Sequence, residues 1–258
     1  IATGLKAKGS AMFQTDCNHK SSGPGFGFAM HADAIREPLR WKKPRKVFVN
    51  SMTDLFHASN PDANLHLIFG VMAATPQHTY QILTKRHGRM RSLLNHPQFA
   101  DMARHRAEQV FGRPATAGWT WPLPNVWLGV SVEDQKRADL RIPALMQTPA
   151  AVRFLSCEPL LGPVRLHPGQ GHLPDWVIIG GESGPGARPF EPQWAADLIA
   201  DAHADGAAPF VKQLGTVWAR DMTINGKTVA VHGDTKGGKP EYWPPELRVR
   251  EYPKTPGD

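Results

Sequence analysis

Charged side chains recur where six short apolar runs of this sequence end. The runs are Val47–Ser51, Tyr80–Thr84, Val126–Val132, Val152–Ser156, Val177–Ile179 and Phe210–Val211. The charged residues just beyond their ends are Asp54, Lys85, Glu133, Glu158, Glu182 and Lys212. Short apolar runs bounded by turn residues predict buried strands. Because the carboxyl ends of parallel strands open on one side of a barrel, we expect these charges to meet at a single mouth.

Helical patterns separate most of these strands. Amphipathic periodicity is present at Pro61–Thr75, Met90–Leu94, Phe99–Phe111 and Glu133–Gln147, and again after Pro192. Strands that alternate with helices favour a parallel sheet. The segment Leu161–Asp175 is rich in Pro and Gly, so we expect a loop crossover there. The sequence therefore predicts an α/β fold, a partial TIM-like (β/α) barrel of about six parallel strands.

A single domain suits the length and composition of the chain, which has 258 residues, 41% of them hydrophobic. We predict an N-terminal loop region at residues 1–45, a barrel core at 46–215 and a C-terminal extension at 216–258. Within these, residues 13–38 are expected to form a surface loop. Asn225-Gly226 predicts a hairpin within 218–231, and we expect segment 233–253 to pack across the barrel surface. Ile1 at the first position suggests that upstream sequence is missing.

The stretch Gly180-Gly-Glu-Ser-Gly-Pro-Gly186 follows the fifth predicted strand. Glycines let backbone N–H groups face a ligand, so this turn could approach a phosphate or an adenosine closely. It is not a Walker A loop, because no Gly-Lys-Ser/Thr follows. The same glycines would also suit a sharp turn between strand and loop. Both interpretations have equal support in the sequence.

The acids at the predicted mouth allow a second kind of chemistry. Paired carboxylates such as Glu158 and Glu182 could act as general acid and base in glycoside hydrolysis. Against this hypothesis of a carboxylate-based barrel hydrolase, Lys85, Arg86 and Lys212 would pair with the acids and keep them ionised. The sequence alone identifies no catalytic residue.

The charge balance permits a polyanionic partner but does not establish one, because the excess is spread along the chain. The formal net charge is +7, and the lead-in to the first strand is basic, with Arg40, Lys42, Lys43 and Arg45 around Trp41. A non-catalytic nucleic-acid-binding barrel is therefore an alternative function. The two cysteines, Cys17 and Cys157, form no CxxC pair, which favours a reducing cytoplasm. We expect no membrane span and, from the spacing of the histidines, no metal site.

Six sequence blocks together resemble a known family. They are Val49–His57, Gln81–Arg86, Trp127–Glu133, Phe154–Gly162, Ile179–Gly186 and Phe210–Gly215, with Lys236–Gly238 and Trp243–Arg250 in the tail. They resemble the signature blocks of a phage and prophage family of unknown function, named after phage gene products thirty-seven and sixty-eight and also called the three-Cys-motif family. That family is similar to radical S-adenosylmethionine (SAM) enzymes of the spore-photoproduct-lyase type.

The resemblance implies a radical-SAM-like barrel that binds SAM at its mouth and acts on a nucleic acid or nucleotide. The implied cofactor-binding residues are Asn50, Ser51, Asp54, Lys85, Ser131, Glu133, Glu158, Gly180, Gly181 and Glu182. Lys85 would contact an anion or carboxylate and Ser131 a ribose-type hydroxyl, while Glu158 and Glu182 would accept from hydroxyl or amine groups. Glu182 follows a late strand, so we do not assign it the amino-group contact of the radical SAM glycine-glycine-Glu motif.

The resemblance also implies a 4Fe-4S cluster, held by three cysteines in a loop after the family's first strand. This sequence lacks that loop, and Cys17 and Cys157 cannot replace it. A cluster is therefore expected only if cysteines exist upstream of Ile1.

Overall fold

The computed structural model describes residues 32–50, 53–112, 118–166 and 174–254. The strands of its main sheet are β1 Lys46–Val49, β2 Thr79–Thr84, β3 Val126–Ser131, β4 Val152–Cys157, β5 Trp176–Gly180 and β6 Ala208–Gln213. The helices are α1 Ala32–Arg36, α2 Asp62–Ala73, α3 His87–Leu94, α4 Phe99–Phe111, α5 Gln135–Met146, α6 Pro192–Ala204 and α7 Thr216–Asp221. A small hairpin pairs β7 Thr223–Ile224 with β8 Lys227–Thr228.

The six strands are all parallel and lie side by side in the order of the chain, from β1 to β6. The sheet curls into a half-barrel, so the predicted partial (β/α) barrel is confirmed. Each connection leads to the next strand in the same direction across the sheet. Because such connections are right-handed, they place the connecting helices on one face of the sheet. The connection from β4 to β5 has no helix in its described residues, 158–166 and 174–175.

Side chains alternate between the two faces of the half-barrel. On the outer face Leu128, Leu155 and Val177 are fully buried in one large core with the helices. On the inner face an aromatic layer fills the end of the half-barrel opposite the mouth; it consists of Trp127, Phe154, Trp176 and Phe210. The mouth is thus a polar rim above an apolar floor.

The C-terminal tail lies along the outer edge of β6, which confirms that it packs on the barrel. The amide of Val211 donates to the Val249 carbonyl at 2.8 Å, and the amide of Glu251 donates to Pro209 at 2.9 Å. Beyond this pairing, the Tyr252 ring stacks on Trp176 with centroids 5.5 Å apart. The tail therefore satisfies backbone groups of an otherwise open edge strand.

Two local predictions need correction. Residues 32–40 are helical, with α1 followed by a 3-10 turn at Glu37–Arg40, so the predicted loop at 13–38 is wrong for its described end. The rest of that loop lies outside the described residues. The hairpin is turned at Asn225 and Gly226, both with positive φ, as predicted. It is shorter than expected, because Trp218 belongs to α7.

Gly129 allows the aromatic floor to pack, since a Cβ there would lie 2.4 Å from the Phe154 ring. We expect Gly129→Ala to lower the free energy of unfolding by about 1–3 kcal/mol, because overpacking displaces that ring. Urea unfolding followed by tryptophan fluorescence measures the change. The matched control is Gly88→Ala in α3, where a Cβ has open space and the loss of unfolded-state entropy should stabilise by about 0.4–1 kcal/mol. Equal stabilities of the two variants would contradict this packing.

Candidate functional site

Asp54 ties the loop after β1 to the end of β2. Its Oδ1 accepts from the Phe56 amide at 3.0 Å and from Thr84 Oγ1 at 2.7 Å, and its Oδ2 accepts from the Lys85 amide at 3.0 Å. With these three bonds, Asp54 positions the strand ends. Asn50 lies just before this loop in a left-handed backbone conformation, and its side-chain Nδ2 donates to Thr53 Oγ1 at 2.8 Å. The remaining predicted residue here, Ser51, lies outside the described residues.

Glu133, just beyond β3, lies between two cations. One carboxylate oxygen pairs with Lys85 Nζ, and the other accepts from Arg141 Nη1 at 2.9 Å. The same Arg141 nitrogen donates to the Ser131 carbonyl at 2.7 Å. Burial acts to raise the pKa of Glu133, but the hydrogen bond and charge of Lys85 and the charge of Arg141 outweigh it and hold that pKa below its usual value.

Glu158 joins the ends of β4 and β6. Its Oε2 accepts from Lys212 Nζ at 2.9 Å, and its Oε1 accepts from Gln213 Nε2 at 3.1 Å. Gln213 Nε2 also donates to the Gly181 carbonyl at 3.1 Å. The predicted convergence of Glu158 and Lys212 is therefore present, and Gln213 connects both to the turn after β5.

Glu182 forms a bidentate pair with Arg188, at 2.8 and 2.7 Å, and accepts from the Arg188 amide at 2.8 Å. The hydrogen bonds from the Arg188 side chain and backbone lower the pKa of Glu182 to about 2. The pKa of Arg188 is raised by Glu182 and, to a smaller extent, by Glu133. The pairs Glu133–Lys85 and Glu182–Arg188 are thus within electrostatic reach of each other.

The glycine turn packs against the loop after β6. A Cβ on Gly181 would lie 2.4 Å from the Leu214 carbonyl oxygen. The Gly181 amide donates to Gln213 at 2.9 Å, and the Gly184 amide donates to Thr216 Oγ1 at 3.0 Å. Of the two interpretations of this turn, the structure therefore favours close packing, because two of its amides are bonded to protein.

Two buried serines lie side by side below the acids. Ser131 ends β3, and it is in register with Ser156 near the end of β4. Ser156 was not predicted from the sequence, yet a signal for it exists. Each serine precedes a mouth acid by two positions, as Gly180 precedes Glu182. In a strand this spacing puts both members on one face.

The two arginines of the site were also not predicted. Arg141 is in α5, inside a segment whose apolar positions suggested only a helix, and Arg188 lies in a loop. Arg141 pairs with a carboxylate that lies before its helix, and Arg188 pairs with Glu182 six residues earlier in the same loop, and neither spacing is a sequence signal for an ion pair. The ion pairs at the mouth join three acids to four cations: Glu133, Glu158 and Glu182 with Lys85, Arg141, Arg188 and Lys212.

This pairing disfavours the hydrolase alternative. A general acid in glycoside hydrolysis needs a raised pKa so that it is protonated near neutral pH. The pKa values of Glu133 and Glu182 are instead lowered, by Lys85 and Arg188 respectively. The carboxylates are therefore suited to accept hydrogen bonds.

The described residues do not suit an iron–sulfur cluster. Cys157 is fully buried, and that burial, with the nearby negative charge of Glu133, raises the pKa of its thiol to about 12. A cluster ligand must be a thiolate. Within the described ranges no group of three His, Cys, Asp or Glu residues could hold a metal ion. Cys17 lies outside those ranges.

The Glu182–Arg188 pair makes a pH-dependent contribution to stability. The folded pKa of Glu182 lies below its unfolded value, so the contribution is complete above about pH 4.3 and is lost as the pH falls towards 2. We expect Arg188→Gln to raise the pKa of Glu182 from about 2 towards the ordinary value of about 4.3, with the remaining backbone hydrogen bond keeping it somewhat below that value; carbon NMR of the carboxyl group measures the change.

Denaturant unfolding over the same pH range should show that the free energies of unfolding of wild type and Arg188→Gln become equal near pH 2. Arg104→Gln, which removes an exposed arginine paired with Asp101 on α4, is the control and should leave the titration of Glu182 unchanged. A Glu182 pKa that stays near 2 in Arg188→Gln would rule out Arg188 as the cause.

Comparisons with known proteins give a family. No curated protein and no solved structure matches the chain. Among the helices that the structure describes, none is long and apolar enough to span a bilayer. A family model described as "Protein of unknown function (DUF5131)" matches residues 5–240, most of the chain. The chain belongs to the DUF5131 family.

Proposed function

We propose that the mouth of the half-barrel binds SAM and that the chain uses it on a nucleic acid or nucleotide. The observation that carries this proposal is the repeated strand end. On β3, β4 and β5 a small residue is followed two positions later by an acid that is paired with a cation. Such an end offers hydroxyls, carboxylates and ammonium groups above an apolar floor.

SAM has groups that match each of these. Its carboxylate would contact Lys85 or Lys212, whose side chains keep 60% and 55% of their surface exposed at the mouth. Its ribose hydroxyls would meet Ser131 and Ser156. Glu158 and Glu182 would accept hydrogen bonds from its amine or hydroxyl groups. When bound, SAM supplies an activated sulfonium group.

The protein's own contribution in this proposal is binding and orientation. Because Glu133 and Glu182 stay ionised, they can hold an ammonium group without gaining a proton. The proposal does not include an iron–sulfur cluster, since the described residues do not fit one. The resemblance to phage proteins and to radical SAM enzymes supports the choice of SAM, and the cysteine usage supports a reducing cytoplasm as the compartment.

Isothermal titration calorimetry with SAM tests the site. We expect Glu158→Gln to weaken binding by about 2 kcal/mol, or roughly 30-fold in Kd, because it removes a charge-assisted hydrogen bond. Lys85→Met should have a similar effect through the lost carboxylate contact. S-adenosylhomocysteine, which lacks the methyl group, serves as the reference ligand.

The matched control is Asp101→Asn, which neutralises an exposed carboxylate on α4 that is paired with Arg104 and not with any residue of the mouth. It should bind SAM like wild type. If wild type does not bind SAM, or if Glu158→Gln and Asp101→Asn bind equally well, the proposed site is wrong.

A further inference from the structure

A basic segment leads into β1 on the open side of the half-barrel. Its six cations are all exposed and are Arg36, Arg40, Lys42, Lys43, Arg45 and Lys46. Two acids, Asp33 and Glu37, share the segment. In the part of the chain that the structure describes, none of the six cations forms an ion pair. The segment therefore carries uncompensated positive charge.

Exposed aromatic rings lie beside these cations. Phe48 follows Lys46 by two positions in β1, so both side chains lie on one face. The side chain of Lys46 extends to Tyr252, with Nζ 4.4 Å from the ring centroid. Phe48 is 46% exposed and Tyr252 is 55% exposed. Phe48 is a large ring left in solvent next to cations that form no ion pair, which is typical of a stacking platform, whereas the Tyr252 ring already contacts Trp176 and Lys46.

A cleft of about 240 Å³ adjoins the same strand. It lies between β1, α1 and α2, and its lining includes Ile35, Trp41, Phe48, Met72 and Tyr80. Among the described residues β1 pairs only with β2, and its other edge makes no backbone pairing with them. The cleft thus combines apolar walls with hydrogen-bonding groups along one side.

We propose that single-stranded nucleic acid binds along the β1 edge. Its phosphates contact the basic segment, and its bases stack on Phe48 or enter the cleft. A single strand fits better than a duplex, because the rings and the cleft can only reach unpaired bases. A peptide without acidic residues would leave the six cations without partners.

This inference rests on the proposed function for the substrate class and adds the place where the substrate is held. Its test contains no SAM, so the two proposals can fail separately. The β1 edge and the mouth belong to the same half-barrel, since Asn50 directly follows β1 and Asp54 joins this loop to β2.

Fluorescence anisotropy with labelled DNA and RNA strands of about 20 nucleotides, longer than a typical single-strand site, measures the binding. We expect Lys42→Ala/Lys43→Ala to weaken binding on the order of 20-fold at about 0.1 M salt and to reduce the slope of log K against log salt by about 1.4. The matched control is Arg104→Ala/Arg106→Ala, which removes two exposed arginines from α4 and should bind like wild type.

Stacking is tested separately from charge. Phe48→Ala should weaken strand binding about tenfold with an unchanged salt slope, because it removes a ring and no charge. Leu140→Ala removes another exposed apolar side chain, on α5, and should have no effect. Circular dichroism melting of each variant confirms that it is folded.

Three results would overturn the proposal. The first is that wild type binds neither strand at about 0.05 M salt. The second is that Lys42→Ala/Lys43→Ala and Arg104→Ala/Arg106→Ala lose the same amount of affinity. The third is that wild type binds a duplex of the same length as tightly as a single strand. Comparison of the DNA and RNA strands identifies which nucleic acid is held. A preference for one of them with the expected variant effects supports the proposal.

Discussion

In-register pairing of parallel strands is the constraint on which the mouth depends. Ser131 pairs with Ser156, and Cys157 pairs with Ile179, so the ends of β3, β4 and β5 finish at nearly the same level. With a side-chain period of two, a shift of one residue would turn each acid towards the helices. Every contact at the rim, including the reach of Lys85 from β2 to Glu133, requires this alignment.

The acids at the rim would repel one another without their cations. The cations are Lys85 and Arg141 for Glu133, Lys212 for Glu158, and Arg188, from the same loop, for Glu182. The partners stabilise the charged forms, which is why the pKa values of Glu133 and Glu182 are low. The mouth is therefore densely charged but nearly neutral, a suitable surface for a zwitterionic ligand.

The elements were predictable because their signals are local. Helix α4 has the bounds that its periodicity predicted, and all six strands lie at the predicted apolar runs. The convergence of Glu133, Glu158 and Glu182 followed from strand topology. What the sequence did not reveal depends on the folded conformation. The loop after β5 must fold back for Arg188 to reach Glu182, Arg141 reaches Glu133 from α5, and the helical turns at 32–40 form in a segment with a loop-like composition. The role of Gly181 likewise became clear only from its distance to Leu214.

The close approach of Gly181 to the loop after β6 has a mechanical consequence. Backbone bonds run from Gly181 to Gln213, from Thr216 to Glu182, and from Leu214 to Gly237. These three loops cannot move independently, so one side of the mouth behaves as a single stiff block. Asn50 and Lys85, across the mouth, belong to another set of contacts. A ligand at the mouth would therefore meet, on the Gly181 side, a wall that is already shaped before the ligand arrives.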